Sequence, residues 1–318
     1  MNNSCYIYSP DGFDIDVLWN TKCLYERVGF SVFSGANPFP CNVLVILRGK
    51  PSELSAIHFP ASDEIHLFDY AGQDTAAFAN QLLDRQVLCI SASEAAYARC
   101  NVTHGQVLIA GPYVDIERWV CKRPIRRNGK CCHIGNYKSQ SAGDVYLEQM
   151  SRFVREQDVG VWGAGWETQL PSHRYYGHAY VHDVADIYSK FRFALGIMHP
   201  FQRDVTYSSR FWFGPLNGCT ILSEPGSFVG LVPGVVQTDF SSADIFRHMA
   251  GETDPSAIME ASRCYWNAAN DRLADALASR PRGIPVRVGW RSKLKARLRA
   301  ISYWHGKEFS RRYFSGRH

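Results

Sequence analysis

The chain has 318 residues, 46% hydrophobic and 20% charged, a balance that excludes a disordered polypeptide and gives enough apolar surface for two ordinary α/β domains. No apolar run approaches the ~18–20 residues that span a bilayer, and the opening MNNSCYIYSPDGFDIDV lacks a basic segment followed by a long apolar one. The chain therefore reads as cytoplasmic. Its net charge of +5 is uneven: residues 280–318 hold twelve Lys or Arg against Glu308, a net of +11, which leaves −6 for the body. Ten cysteines are scattered, with Cys41, Cys89 and Cys219 inside apolar stretches, and they read as reduced, buried thiols. Cys121, Cys131, Cys132 and His133 lie close in sequence without a CxxC pair, and adjacent cysteines make poor tetrahedral ligands, so no metal site is read from them.

The first half alternates short apolar runs with helical patterns. SCYIYS is followed by the helix DIDVLWNTKCLYERVG, which ends at a glycine, then by the strands FSVFSG and CNVLVILRG. EIHLFDYAG, the helix TAAFANQLLDRQ, the run VLCISAS, the short helix EAAYARCN and QVLIAGPYV complete it. Repeated strand–helix alternation predicts a mostly parallel sheet covered on both faces, with ligands at the carboxyl ends of its strands. DIERWVCKRPIRRNGK, polar and broken by Pro124 and Gly129, reads as a linker.

A second alternation follows. CCHIGNYK is a strand and loop, DVYLEQMSRFVREQD an amphipathic helix, and VGVWGAGWE a strand ending in a glycine-rich turn. HAYVHDVADIYSKFRFALGIMHP adds a short helix and a strand, and ADIFRHMAG is a later helix. Between them, YSSRFWFGPLNGCTILSE sets Ser208, Ser209 and Arg210 at a helix start and Gly218 at its end, ahead of a strand. A helix start leaves backbone N–H groups unpaired and carries a positive dipole, so this segment is a candidate diphosphate cradle. The division read from these patterns is 1–120, 121–279 and a basic tail, 280–318. In that tail Trp290, Leu294, Leu298 and Ile301 recur at three- and four-residue intervals between Lys293, Lys295, Arg297 and Arg299. This basic amphipathic helix suits an anionic membrane surface; packing on the body and nucleic-acid binding are the alternatives, nucleic acid the last of them.

The second half resembles the donor-binding domain of GT-B glycosyltransferases, most closely the group related to the spore-maturation CgeB proteins. HIGNYK at 133–138 is similar to the opening glycine loop of that domain, and VGVWGAGWE at 159–167 to its x-G-x-G-W strand end. GHAYVHDVADIYSKFRFALGI at 177–197 resembles the helix and strand before the donor site, and MHPFQRDVTYSSRFWFGPLNGCTILSE at 198–224 resembles the family core. ISASEAAYARCNVTHGQVLIAGPYVD at 90–115 looks like the last elements of an acceptor domain. The same core resembles the α-1,3-fucosyltransferases, and both alignments put a cation at Arg210. The resemblance implies two Rossmann-like domains with mostly parallel sheets facing across a cleft. It also implies sugar transfer from a nucleotide-sugar donor to a glycan or lipid-linked acceptor, in bacterial surface polysaccharide assembly, without a metal and with no cofactor beyond that donor. Phe213 departs from the pattern, since the family commonly carries there a glutamate that holds the donor ribose.

Such chemistry needs cations for the leaving diphosphate and a general base for the acceptor hydroxyl. Arg210 is the first choice for the diphosphate, with Lys138 and Arg203 beside it. A helix-start cation is expected to contribute little to packing, so Arg210 should be replaceable without loss of fold. Gly135, Gly163 and Gly165 would admit close backbone approach to the ligand, and Tyr207 and Trp166 could flank sugar or base. Asp11, after the first strand, and Asp69, after another, are the base candidates, with Asp14 and Glu94 behind them. No Walker loop, GxSxG elbow or HExxH is present, which removes the common signatures of NTPases, α/β-hydrolases and zincins. A catalytically silent module of the same fold, binding a glycan or a partner, is the rival reading.

Overall fold

The computed structural model describes residues 3–9, 15–47, 62–68, 86–94, 106–123, 127–137, 144–198, 200, 203 and 206–280. The chain divides into two compact units, Met1–Tyr113 with Asp271–His318, and Val114–Asn270.

The first unit is built on six parallel strands, β1 (Ser4–Tyr8), β2 (Ser31–Gly35), β3 (Cys41–Ile46), β4 (Ser62–Phe68), β5 (Gln86–Ser91) and β6 (Gln106–Ile109), in the order β2-β1-β3-β4-β5-β6. Successive side chains of a strand point to opposite faces, and here both faces are filled. Cys5, Ile7, Val43, Val45, Leu88 and Ile90 join one core, while Tyr6, Tyr8, Leu44, Ile46, Val87 and Cys89 join another. A strand buried on both sides needs a continuous apolar run instead of an alternating one, which is what VLVI at 43–46 supplies. Helix α1 (Ile15–Arg27) closes the first face with Leu24 and Tyr25. The helices expected over TAAFANQLLDRQ and EAAYARCN lie outside the described residues, apart from Gln86 at the end of the former, which begins β5, and Glu94 at the start of the latter.

In the second unit, β7 (Gly129–Ile134), β8 (Gly160–Trp162), β9 (Phe191–Gly196), β10 (Thr220–Ser223) and β11 (Val235–Gln237) form a parallel sheet ordered β11-β10-β9-β7-β8. The chain moves outward from β7 to β8 and then returns to the other side of β7 as β9. The loops leaving β7 and β9 therefore diverge, and the crevice between them is the switch point where open α/β sheets take their ligands. The linker begins with one helical turn instead of a loop: α2 (Ile116–Trp119) buries Ile116 and Trp119, apolar residues three apart and so on one face of a helix.

Helix α3 (Val145–Glu156) presents Leu147, Met150, Phe153 and Val154 to the core, and Asp144 caps it by accepting a hydrogen bond from the Leu147 N–H. Helices α4 (Val181–Ser189), α5 (Arg210–Leu216) and α6 (Ser242–Ala250) follow as the pattern predicts. Gly218 ends α5 with φ of 68°; its N–H donates to the Pro215 carbonyl at 2.9 Å and the Cys219 N–H to Gly214 at 2.9 Å, a Schellman motif.

Two elements escape the sequence reading. Strand β11 has three residues, too few to show a period. Helix α7 (Pro255–Ser279) spans 25 residues, begun by Asp254 accepting from the Ser256 and Ala257 N–H groups and by Pro255 in the first turn. It lacks a single apolar stripe because its parts meet different surroundings. Trp266 is buried beside Tyr207, Trp212 and Tyr265 in the second unit, and Leu273, Ala274 and Leu277 join the core of the first.

Asn217, fully buried, anchors the linker. Its side-chain amide donates to the carbonyls of Trp119 (2.9 Å) and Phe213 (2.7 Å) and accepts from the Cys121 N–H (2.6 Å). Three partners for one amide leave no replacement of equal capacity. Asn217→Ala is expected to lower unfolding stability by about 2–3 kcal/mol, because buried backbone groups lose their partners; a chemical-denaturation midpoint equal to wild type would contradict this account.

Candidate functional site

Arg210 is the first residue of α5, and its side chain lies across the switch point. Nε donates to the carbonyl of Ile134, the last residue of β7, at 2.9 Å, and Nη1 to that of Ile197, just past β9, at 3.0 Å and to Ser208 Oγ at 3.3 Å. Nη2 has no hydrogen-bond partner among the described residues, and it occupies the place where a Cβ on Gly135 would fall. The guanidinium is thus held on two sides while one amino group stays uncommitted. The expectation that Arg210 matters little to packing is corrected here, since its loss strips two strand-end carbonyls of their donors. Ser209 is the N-cap, but its hydroxyl makes no capping bond, and the Ser208 hydroxyl serves Arg210.

The glycines make room for protein. A Cβ on Gly163 would strike the Gly135 carbonyl, and one on Gly165 would press on Tyr137 Cβ at 3.0 Å; both residues have positive φ, 133° and 85°. The loops after β7 and β8 interlock through Gly135 N–H to Trp162 O (2.8 Å), Tyr137 N–H to Ala164 O (2.7 Å) and Ala164 N–H to Asn136 Oδ1 (2.9 Å). Trp166 is 1% exposed and donates its indole N–H to the Gly135 carbonyl at 2.9 Å; it is a core residue that fixes the glycine loop and cannot flank a ligand. Tyr207 is half-buried, stacked on Phe228 at 4.1 Å, with its hydroxyl 3.4 Å from that of Tyr265.

Arg203 stands in the same region with its charge already spent. Nη2 donates to both carboxylate oxygens of Asp144 (2.9 and 2.8 Å), and Nε to Glu224 Oε1 at 3.2 Å. Glu224, just past β10, is 1% exposed; Oε1 also accepts from the Met198 N–H at 2.5 Å, and Oε2 is buried without a hydrogen bond. Burial raises the Glu224 carboxyl pKa above the ordinary value, outweighing the lowering effects of the Met198 N–H and Arg203. Sequence reasoning passed over Asp144 and Glu224. The signals available were Asp144 at the head of an amphipathic helix and Glu224 at the end of an apolar strand, but neither spacing says that one arginine joins them.

Phe213, where the family pattern has glutamate, is 3% exposed and packs edge-on against Trp119 at 5.0 Å. A side chain in that position faces the linker helix and not the crevice. Cys131, Cys132 and Cys219 are buried free thiols, and burial pushes the first two up, so as free thiols they stay protonated. Cys121 is partly buried and lies 3.9 Å from Asp186. Among the described residues no group of three His, Cys, Asp or Glu side chains is placed to hold a metal. Glu94 is exposed, three residues beyond the end of β5. Asp11, Asp14, Asp69, Lys138 and the tail 281–318 lie outside the described residues.

Two parallel α/β sheets of six and five strands, each in its own unit, define the GT-B glycosyltransferase fold. No family model matches the sequence, and no curated protein matches it. Among solved structures the chain is similar to a bacteriophage T4 BGT variant in complex with UDP-glucose (TM-score 0.58, 11% identity, 86% of this chain and 98% of that one). It is also similar to AviGT4, a glycosyltransferase involved in avilamycin A biosynthesis (TM-score 0.54, 12% identity, 86% and 96%). A third is Anabaena HepE in complex with UDP (TM-score 0.53, 11% identity, 87% and 100%).

Removing Arg203 leaves two buried carboxylates without their cation, so Arg203→Met is expected to cost about 3–5 kcal/mol of stability. The raised Glu224 pKa gives a pH signature. In the window from about 4.5, the ordinary value, up to the raised value, the folded state holds more protons than the unfolded one, so this group's contribution falls as pH rises. Glu224→Gln lacks that slope, and its stability relative to wild type should climb through the window; a difference that is flat with pH contradicts the assignment.

Proposed function

We propose that this protein is a glycosyltransferase that takes a sugar from a nucleotide diphosphate donor. The observation that carries the proposal is Arg210, pinned at the switch point of a donor-type Rossmann sheet with one guanidinium nitrogen uncommitted. A leaving diphosphate requires fixed positive charge that need not reorganise during the reaction, and a guanidinium already bonded to two carbonyls and a hydroxyl has that rigidity. The UDP and UDP-glucose bound by the HepE and T4 BGT structures support a uridine donor. Gly135 takes the role of admitting the arginine, and Tyr207, Ser208 and Ser209 line the approach. Arg203 acts through the loops it ties together and not on the diphosphate. Lys138 is proposed as a second cation, and Asp11 or Asp69 as the base that deprotonates the acceptor.

Within this class, the order of the four quoted segments favours the CgeB-like group, and a glycan or lipid-linked acceptor in bacterial surface polysaccharide assembly follows from it. No described helix is long and apolar enough to cross a membrane, and the basic tail is proposed as a peripheral contact with the inner face of the cell membrane. Metal independence belongs to the same proposal, and the T4 BGT structure with UDP and Mn2+ makes it a point for direct test: turnover should survive EDTA. Phe213 favours a second reading, a silent module, because its buried ring cannot supply the family's ribose contact.

A ligand that binds only the folded state raises its stability, so one nucleotide among UDP, GDP, CDP and TDP should raise the melting temperature of the wild type. Arg210→Ala should abolish that shift, and should itself lose about 1–3 kcal/mol of stability from the stripped carbonyls; each shift is therefore read against the variant's own baseline. Absence of any shift in the wild type would favour the silent module. Deleting residues 288–318 should release the protein from anionic vesicles in sedimentation, and undiminished binding would return the tail to the packed-helix reading.

A further inference from the structure

The candidate donor site uses the carboxyl end of the second sheet, and the opposite end is also hollowed. Where β7, β8 and β9 begin, a cavity of about 820 Å3 opens beside the last turns of α3 and α6, within the size range of small-molecule sites. At ~3.3 Å per strand residue it stands roughly 15–20 Å from Arg210. Its walls are aromatic. The Phe191 ring lies where a Cβ on Gly129 would fall and 3.2 Å from where one on Gly160 would be, so the absence of side chains at these glycines lets the ring lie against the strand starts. Phe153 and Phe246 meet at 5.5 Å on one side. On the other, Tyr176 stacks on Trp162 at 4.6 Å and 15°. Phe246 is 44% and Tyr176 58% exposed, and two exposed rings flanking one cavity form a patch that scattered surface residues do not.

The rim is polar and uncommitted. The side chains of Asn128, Lys130, Gln157 and Asp158 make no hydrogen bond or ion pair with described residues. Arg174, also at the cavity, is occupied: its guanidinium donates to the carbonyls of Val154, Arg155 and Gln157 and closes the C-terminus of α3. Lys130 and Asp158 offset one another, and the Arg174 charge sits on the last carbonyls of α3, where the helix dipole is negative, so the rim holds little net charge to attract an anion. Flat rings beneath amide donors and acceptors match a ligand with an apolar ring face and a hydroxyl periphery. That is the chemistry of a pyranose.

We propose that this groove is a saccharide-binding site, separate from the donor site and selective for uncharged sugars. A site of this kind would hold a neutral glycan on the sheet end opposite the transfer chemistry, and its occupancy does not depend on donor turnover.

The test is binding of the full-length protein to an array of neutral and acidic mono- to tetrasaccharides, followed by titration calorimetry of the best neutral ligand. Tyr176→Ala and Phe246→Ala, exposed positions whose loss should leave the melting temperature near wild type, are each expected to weaken binding about tenfold or more. Tyr176→Phe, which keeps the ring, should retain it. Saturating UDP-glucose should not displace the saccharide. Failure of every neutral saccharide to bind, retention of acidic ones alone, undiminished binding by both alanine variants, or displacement by UDP-glucose would each overturn the proposal.

Discussion

The bonds from Arg210 to the Ile134 and Ile197 carbonyls are the constraint on which the candidate site rests. The last pair between β7 and β9 is Cys132 with Ala194; past it the two chains diverge, and the Ile134 and Ile197 carbonyls accept from the guanidinium instead of from each other's strand. A strand-end carbonyl that loses its donor costs stability to the extent that it is shielded from water. A guanidinium has five donors in a rigid fork, enough to serve both carbonyls and the Ser208 hydroxyl while leaving Nη2 over. The group that completes the sheet end is therefore also the group that offers positive charge at the crevice. Gly135 belongs to this arrangement, because any side chain there would displace the guanidinium.

A second arginine holds the loops around the first. Arg203 reaches Asp144 at the head of α3 and Glu224 beyond β10, so segments following three different strands share one buried charge cluster. Such clusters contribute little net stability compared with apolar packing, yet breaking one partner is expensive. The consequence is rigidity, which a site that stabilises charge by preorganisation requires. Arg210 and Arg203 thus divide the work, one bonded to uncharged acceptors with a nitrogen to spare, the other wholly neutralised.

Much of this was legible beforehand. Apolar runs such as VLVI in β3 and FALG in β9 announced strands buried on both faces over those residues, and Gly218 closed α5 as its position suggested. The cradle segment brought Arg210 to the expected helix start. The roles of its neighbours were not legible. Gly163 and Gly165 looked like ligand-approach glycines, and their space is filled by the 135–137 loop. Trp166 looked like a ligand-facing aromatic at a strand end and is a core residue whose indole braces the glycine loop. Arg203 looked like a free cation because a sequence shows the charge but not the carboxylates 59 and 21 residues away that neutralise it.

The sequence by itself determined the strands, most of the helices and the parallel α/β class, because these follow from local periodicity, caps and turn residues within a few positions of one another. It also set the positive charge of the tail and the arginine at the head of α5. Only the tertiary structure decided which cation stays available and which glycines serve protein rather than ligand. It alone placed Phe213 against Trp119, and carried the last part of α7 into the first unit's core. Each of those outcomes depends on groups distant in sequence competing for the same donors, acceptors or volume, and that competition is settled only when the chain is folded.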